Sequence, residues 1–139
     1  MSALSEDNMR TIIALILGAS CMVVLHALCP EPNTLTDFNG NKICARLFED
    51  SHYVYDQSCG GEALDIFIDD DVPIMPYRWR NRASSLVVSS RCSLTVWSRI
   101  KKEGSKRKFS AGIQYRLKDV GQGLFGNWDN DIAAYYCTC

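Results

Sequence analysis

Seven cysteines in 139 residues are the most reactive side chains of this chain. A thiolate can ligate metal, attack an acyl group or close a disulfide, and spacing and compartment decide which. Structural zinc sites need C-x-x-C or Cys/His pairs, whereas here the cysteines are widely spaced except Cys137 and Cys139, which flank Thr138. Histidine is scarce: His26 lies in an apolar run, and His52 in the loop-like EDSHYVYDQ beside Tyr53, Tyr55 and Asp56. A hydrolytic triad or Cys–His pair would have to use His52, which reads instead as a surface histidine in a turn. The carboxylates Asp69, Asp70 and Asp71, and Asp129 with Asp131, are neighbours in solvated runs, without the surroundings that tune a catalytic acid. Gly121, Gly123 and Gly126 precede no helix with a phosphate-loop lysine. No catalytic residue, metal site or cofactor is expected.

The N-terminus decides the compartment. Ile12 to Ala27 is a run of sixteen uncharged residues preceded by Arg10 and followed by Leu28, Cys29 and Pro30. It is short for a spanning helix, which needs about 20 apolar residues, and it ends on Ala27 with Leu25 two places earlier, an acceptable signal-peptidase site. Residues 1–27 are therefore read as a cleaved signal peptide. Glu6 and Asp7 make an acidic start, and Met9 before Arg10 is an alternative initiator. Cleavage removes Cys21 and leaves Cys29, Cys44, Cys59, Cys92, Cys137 and Cys139. An even number in an oxidising compartment predicts three bridges, with fifteen connectivities open.

Charge is distributed unevenly. Leu28 to Tyr77 holds ten acidic and two basic residues; Arg78 to Lys108 holds ten basic residues and one acid, Glu103. Such a dipolar chain either closes on itself, self-associates or docks on an anionic surface. The densest cluster, Lys101, Lys102, Lys106, Arg107 and Lys108, is the candidate anionic-surface site. No nucleic-acid partner is expected. Trp79 and Trp128 read as core posts, while Trp97 falls opposite Leu94 and Val96 in the strand alternation and faces outward. The segments Ile74-Met75-Pro76-Tyr77 and Gly123-Leu124-Phe125 either plug the ends of the fold or touch lipid or another subunit.

These residues are positioned by a repeat. Trp79-Arg-Asn-Arg-Ala-Ser-Ser-Leu86 matches Trp128-Asp-Asn-Asp-Ile-Ala-Ala-Tyr135 at an offset of 49, and Phe48 precedes Trp97 by the same interval. Two units follow, about 43–88 and 92–137, within a single domain, 28–139. Period-two alternation and turn residues predict strands over 43–49, 53–57, 64–68 and 84–89 in the first unit. In the second they predict strands over 92–97, 106–110 and 132–138, with a turn over 101–105, Gly112 as a breaker and a long connection over 117–127. Each unit reads as a Greek key, and two in tandem as an all-β, two-sheet sandwich stapled by disulfides.

Lys42-Ile-Cys-Ala-Arg-Leu-Phe-Glu-Asp50, Ala83-Ser-Ser-Leu-Val-Val88, Cys92-Ser-Leu-Thr-Val-Trp-Ser98, Lys108-Phe-Ser-Ala-Gly112, Gly123-Leu-Phe-Gly-Asn-Trp128 and Tyr135-Tyr-Cys-Thr-Cys139 together resemble the syncollin family of pancreatic zymogen-granule proteins. The two-unit pattern is more distantly similar to βγ-crystallin Greek keys, with Phe48-Glu49 as the aromatic–acid pair. The resemblance implies a granule-lumen protein, peripheral on the inner face of the granule membrane, bound to its lipids or lumenal proteins. It further implies intrachain disulfides, homo-oligomers, and a role in regulated exocytosis and in concentrating or maturing cargo. A calcium-sensitive syntaxin association also belongs to the family's description, but a signal peptide puts the chain on the wrong side of the membrane for it. The acidic residues before Met9 and the run Asp69 to Asp71 depart from the family pattern.

The crystallin likeness carries two further expectations. It sets the first strand of unit one beside the last of unit two, so Cys44 should bridge to Cys137 or Cys139, while Cys29 pins the N-terminal arm. The crystallin calcium signature, two Asn/Asp, two spacers and Ser/Thr-Ser, is split: Arg80-Asn81-Arg82-Ala83-Ser84-Ser85 keeps the serines, and Asp129-Asn130-Asp131-Ile132-Ala133-Ala134 keeps the polar pair. A mixed site would join Asp129 or Asn130 to Ser84 or Ser85, and no tight calcium site is expected. The competing readings are a cargo-packing module without lipid contact and a secreted pore-forming or defence protein of crystallin-like fold.

Overall fold

A computed structural model describes residues 29–49 and 59–139. The expected signal peptide, His52 and the strand over 53–57 lie outside the described residues. Among the described residues six strands form: β1 (Ala45–Phe48), β2 (Ala63–Ile66), β3 (Asp71–Val72), β4 (Ser85–Arg99), β5 (Glu103–Gln114) and β6 (Ala134–Thr138). All their pairings are antiparallel, in the order β2-β1-β4-β6-β3, with β5 on the other edge of β4.

β4 and β5 make this network into two layers. The first half of β4 pairs with β1 (Ala45↔Val88, Phe48↔Ser85), the second half with β6 (Ser93↔Thr138, Trp97↔Ala134). Between Val88 and Ser93 the register to β5 shifts, and Arg91 there takes φ 64°. Extra residues on one strand bend it sharply, so β4 passes from one layer to the other. β5 follows it: its start lies against the second half of β4 and its end, Gly112 to Gln114, against the first. Layer one is thus β2-β1-β4-β5 and layer two β5-β4-β6-β3. The two units lend each other a strand.

The strand pattern corrects the sequence reading at four places. Gly112 (φ 145°) does not end a strand but lies within β5 as it enters the other layer. The expected strands 84–89 and 92–97 are one continuous β4, which pairs with β5 on both sides of its bend. The expected strand 64–68 stops at Ile66, because Phe67 to Asp70 turn on the Asp70 carboxylate, which accepts the Phe67 N–H (2.8 Å). Asp71 and Val72, between the expected strands 64–68 and 84–89, form β3 on the edge of layer two, where Asp71 pairs with Tyr136.

Alternation sorts the side chains. Leu47, Ile66, Leu86 and Val88 from layer one meet Leu94, Val96, Phe109, Tyr135 and Cys137 from layer two in one core, capped by Trp79 and Trp128. Fully burying each such aliphatic or aromatic side chain contributes about 1.5–3 kcal/mol. The outer face of layer one is covered as well. The arm from Cys29 to Ile43 packs Leu35 and Ile43 against Phe48, Val87 and Ile113 in a second apolar cluster. No helix among the described residues is long and apolar enough to cross a membrane.

Candidate functional site

The six expected cysteines pair as Cys29–Cys59, Cys44–Cys137 and Cys92–Cys139. Cys44 precedes β1 and Cys137 lies in β6, and both strands lie on the same edge of β4 and converge at its bend. This puts the two Cα atoms 6.2 Å apart across 93 residues. Cys92, in the bend, joins Cys139 beside it. Cys29–Cys59 ties the arm to the segment leading into β2 and belongs to the arm's apolar cluster. Two of the three bridges therefore staple the end of the sandwich where β4 bends.

The opposite end is built by loops. The Asn81 N–H donates to the Ile132 carbonyl (2.9 Å), and the Asn130 N–H donates to the Ala83 carbonyl (3.0 Å). The long connections of both units accordingly leave the same end. In the first, Met75 is buried, its N–H donating to Ala133 O (3.0 Å), while Ile74 and Tyr77 stand exposed. In the second, a Gly121↔Asn127 bridge closes a turn whose tip is Leu124-Phe125, 94% and 88% exposed. Gly123 and Gly126 supply the positive φ that this turn needs. Both connections plug the sandwich with one group of side chains and expose another.

The five clustered cations do not share one patch. Lys101 lies in the turn after β4, at φ 62°, with its N–H on the Pro73 carbonyl (2.6 Å), at the loop end. This turn also shares a polar cleft, through Arg99, Gly104 and Ser105, with Gln122 and Asp131. Lys102 pairs with Asp71 and reaches over Trp97 and Tyr136 (5.3 and 5.8 Å to the ring centres). Lys106 and Lys108 oppose Trp97 and Thr95 in register and so stand on the outer face of layer two. Arg107 points to the other side of β5, over Phe109. Trp97 is half-buried beneath Lys102 and Lys106. The ion pair to Asp71 was missed in the sequence because it depends on the two-residue strand β3.

The split signature is brought together. The Ser84 hydroxyl donates to the Asn130 Oδ1 (3.2 Å), and the neighbouring Asp129 buries an Oδ1 that has no hydrogen-bond partner. Asp131 accepts from Gln122. In unit one, Arg80 donates to the Met75 carbonyl (3.2 Å), and Arg82 pairs with Glu49 (2.8 Å) and lies over Trp79. The Arg82 hydrogen bond, helped by the Glu62 backbone N–H, holds the Glu49 carboxyl below its usual pKa. Burial, with the Asp70 charge, pushes the Tyr135 phenol up to about 12.

The syncollin family profile matches residues 28–139. The chain belongs to the syncollin family. It is 41% identical to Homo sapiens syncollin over 127 residues, 91% of this chain and 95% of that protein. It is 46% identical to Rattus norvegicus syncollin over 111 residues, 80% of this chain and 83% of the rat protein. In fold it is similar to an archaeal βγ-crystallin (TM-score 0.51, 19% identity, covering 69% of this chain and 98% of that one). It is similar too to a protein studied for the evolution of the eye-lens βγ-crystallin domain fold (0.56, 10%, 81% and 93%). A Flavobacterium johnsoniae βγ-crystallin domain matches at 0.53, with 11% identity over 69% and 94%. At such identities the likeness is one of fold alone.

Proposed function

We propose that this protein is a non-enzymatic secretory-granule protein, attached peripherally to the lumenal face of the granule membrane through the loop end of its sandwich. Its role on this reading is in regulated exocytosis and in concentrating and maturing granule cargo, with release by exocytosis. The observation that carries the reading is the exposure of Leu124 and Phe125 at the tip of a hydrogen-bonded turn. A tip fixed by its own backbone bonds inserts two apolar side chains without first having to be ordered. Tyr77 and Ile74 add apolar surface at the same end, and Lys101 and Arg99 supply charge toward anionic headgroups. Burying a leucine and a phenylalanine yields about 1.5–3 kcal/mol each, and each cation near an anionic surface about 1 kcal/mol. That sum gives reversible attachment, far weaker than a spanning helix.

Flotation of the oxidised mature protein with anionic, granule-like liposomes tests this. Attachment should fall at least tenfold in Leu124→Ser/Phe125→Ser and weaken in Lys101→Gln, with circular dichroism unchanged. Undiminished flotation of the double variant refutes the attachment site, and no flotation of the parent leaves a cargo-packing module without lipid contact. Dye release from the same liposomes would replace peripheral attachment with pore formation.

A further inference from the structure

The two outer faces of the sandwich are treated differently. Layer one is roofed by the arm, whereas neither apolar cluster among the described residues extends over the outer face of layer two, which Lys102 overhangs at Trp97 and Tyr136. That face is cationic, with the half-buried rings of Trp97 and Tyr136 among its polar side chains. Trp97 and Thr95 from β4 stand beside Lys106 and Lys108 from β5, with Tyr136 from β6 across Thr95 and Ser110 one pair further along. Lys106 and Lys108 are two apart on one strand, so their stems rise from the same face roughly 7 Å apart. Neither has a carboxylate partner among the described residues, in contrast to Lys102, which Asp71 holds. The exposed large apolar side chains all lie elsewhere.

The geometry points to a binding face for a sulfated polysaccharide chain on the outer surface of layer two, with Lys106 and Lys108 meeting successive sulfates. A strand fixes the spacing of the two ammonium groups, so a ligand with anions repeated along a chain can engage both at once. Hydroxyls of Thr95, across from Lys108, and of Ser110, two residues beyond it on β5, lie beside them to meet sugar hydroxyls. A lipid surface fits this face less well, since nothing here inserts; the apolar tips are at the loop end. This inference does not depend on membrane attachment.

Salt-dependent binding of the oxidised mature protein to heparin, and to heparin stripped of its sulfates, tests the proposal. Binding should require the sulfates. Lys106→Gln/Lys108→Gln should lower heparin affinity on the order of tenfold and reduce the slope of log affinity against log salt by between one and two. Lys106→Arg/Lys108→Arg should restore both. Leu124→Ser/Phe125→Ser should bind heparin as the parent does, and the Gln pair should still float with anionic liposomes. Unchanged heparin binding by the Gln pair overturns the proposal, as does equal binding to desulfated heparin. An equal loss of liposome attachment in the Gln pair overturns it too, by making the face a general anionic-lipid surface.

Discussion

Asn81 and Asn130 occupy the same place in the two units, in the same left-handed conformation (φ 58° and 53°), and make the same bond across the pseudo-symmetric seam. Each donates its backbone N–H to the residue two beyond the other, Ile132 and Ala83. The 49-residue repeat is thus a repeat of backbone geometry as well as of side chains. Left-handed backbone costs a residue with a Cβ roughly 1–2 kcal/mol, and asparagine tolerates it best after glycine. Asn81→Ala should therefore destabilise by about 1 kcal/mol and Asn81→Gly by less, in urea denaturation. Asn130→Gly should cost more than Asn81→Gly, because it also removes the acceptor for Ser84.

The bridges should differ in what their loss does. Cys44→Ala/Cys137→Ala opens a 93-residue closure through the core and should cost about 4–5 kcal/mol in the chain-entropy model. Cys29→Ala/Cys59→Ala opens one of 30 residues and should cost about 3–4 kcal/mol on the same model. Its distinguishing effect is local. With the arm untied, proteolysis between Pro30 and Lys42 should become fast while the sandwich stays folded. An arm as resistant as in the parent would show that Leu35 and Ile43 hold it unaided.

Much of this was legible in the sequence. The offset of 49 gave the two units, and alternation from Cys92 to Trp97 placed Trp97 outward. What stayed hidden depended on pairing. Asp71-Val72 is too short and too acidic to read as a strand, and becomes one only because the β6 edge is free beside it. Gly112 looks like a stop, since a strand glycine normally weakens pairing, yet here it passes a bend. The division of the five cations between loop end, sheet face and core side follows from the β4–β5 register, and the bulge between Trp97 and Arg99 cannot be counted from residue types. That bulge requires Gly104: φ is 76°, and a Cβ there would strike the Ser98 hydroxyl.

Tyr135 gives the fold an alkaline limit. Its phenol is raised from 10.0 to about 12 by burial and by Asp70. An acid with a raised folded pKa favours the fold while neutral, so its contribution is intact below the unfolded value near 10 and is lost as pH rises from there through 12. Two units correspond to roughly 2–3 kcal/mol. The stability gap between the parent and Tyr135→Phe should therefore shift in favour of the variant by about that much between pH 9 and 12, by chemical denaturation. A constant gap would mean that the phenol titrates normally.

Calcium provides the sharpest test of the joined half-signatures. Calcium takes six to eight oxygen ligands. On the Asn130 side the fold gathers the Asp129 carboxylate, the Asn130 amide and the Ser84 hydroxyl, but the last two are hydrogen-bonded to each other. Asp131 is occupied by Gln122. On the Asn81 side, Arg80 stands where unit two has Asp129, and Ala133 and Ala134 stand where unit one has Ser84 and Ser85. One side is short of free oxygens, and the other carries a cation of its own. Titration calorimetry of the oxidised mature domain should show no saturable site at micromolar calcium, and only weak, salt-sensitive heats from acidic groups such as Asp69, Asp70 and Asp71. One-to-one binding at micromolar calcium, abolished by Asp129→Ala, would prove this wrong. It would also assign a ligand to the buried Asp129 oxygen, which no hydrogen bond now satisfies. Arg80→Asp should not by itself create a site, because the hydroxyls that would complete it are absent at Ala133 and Ala134.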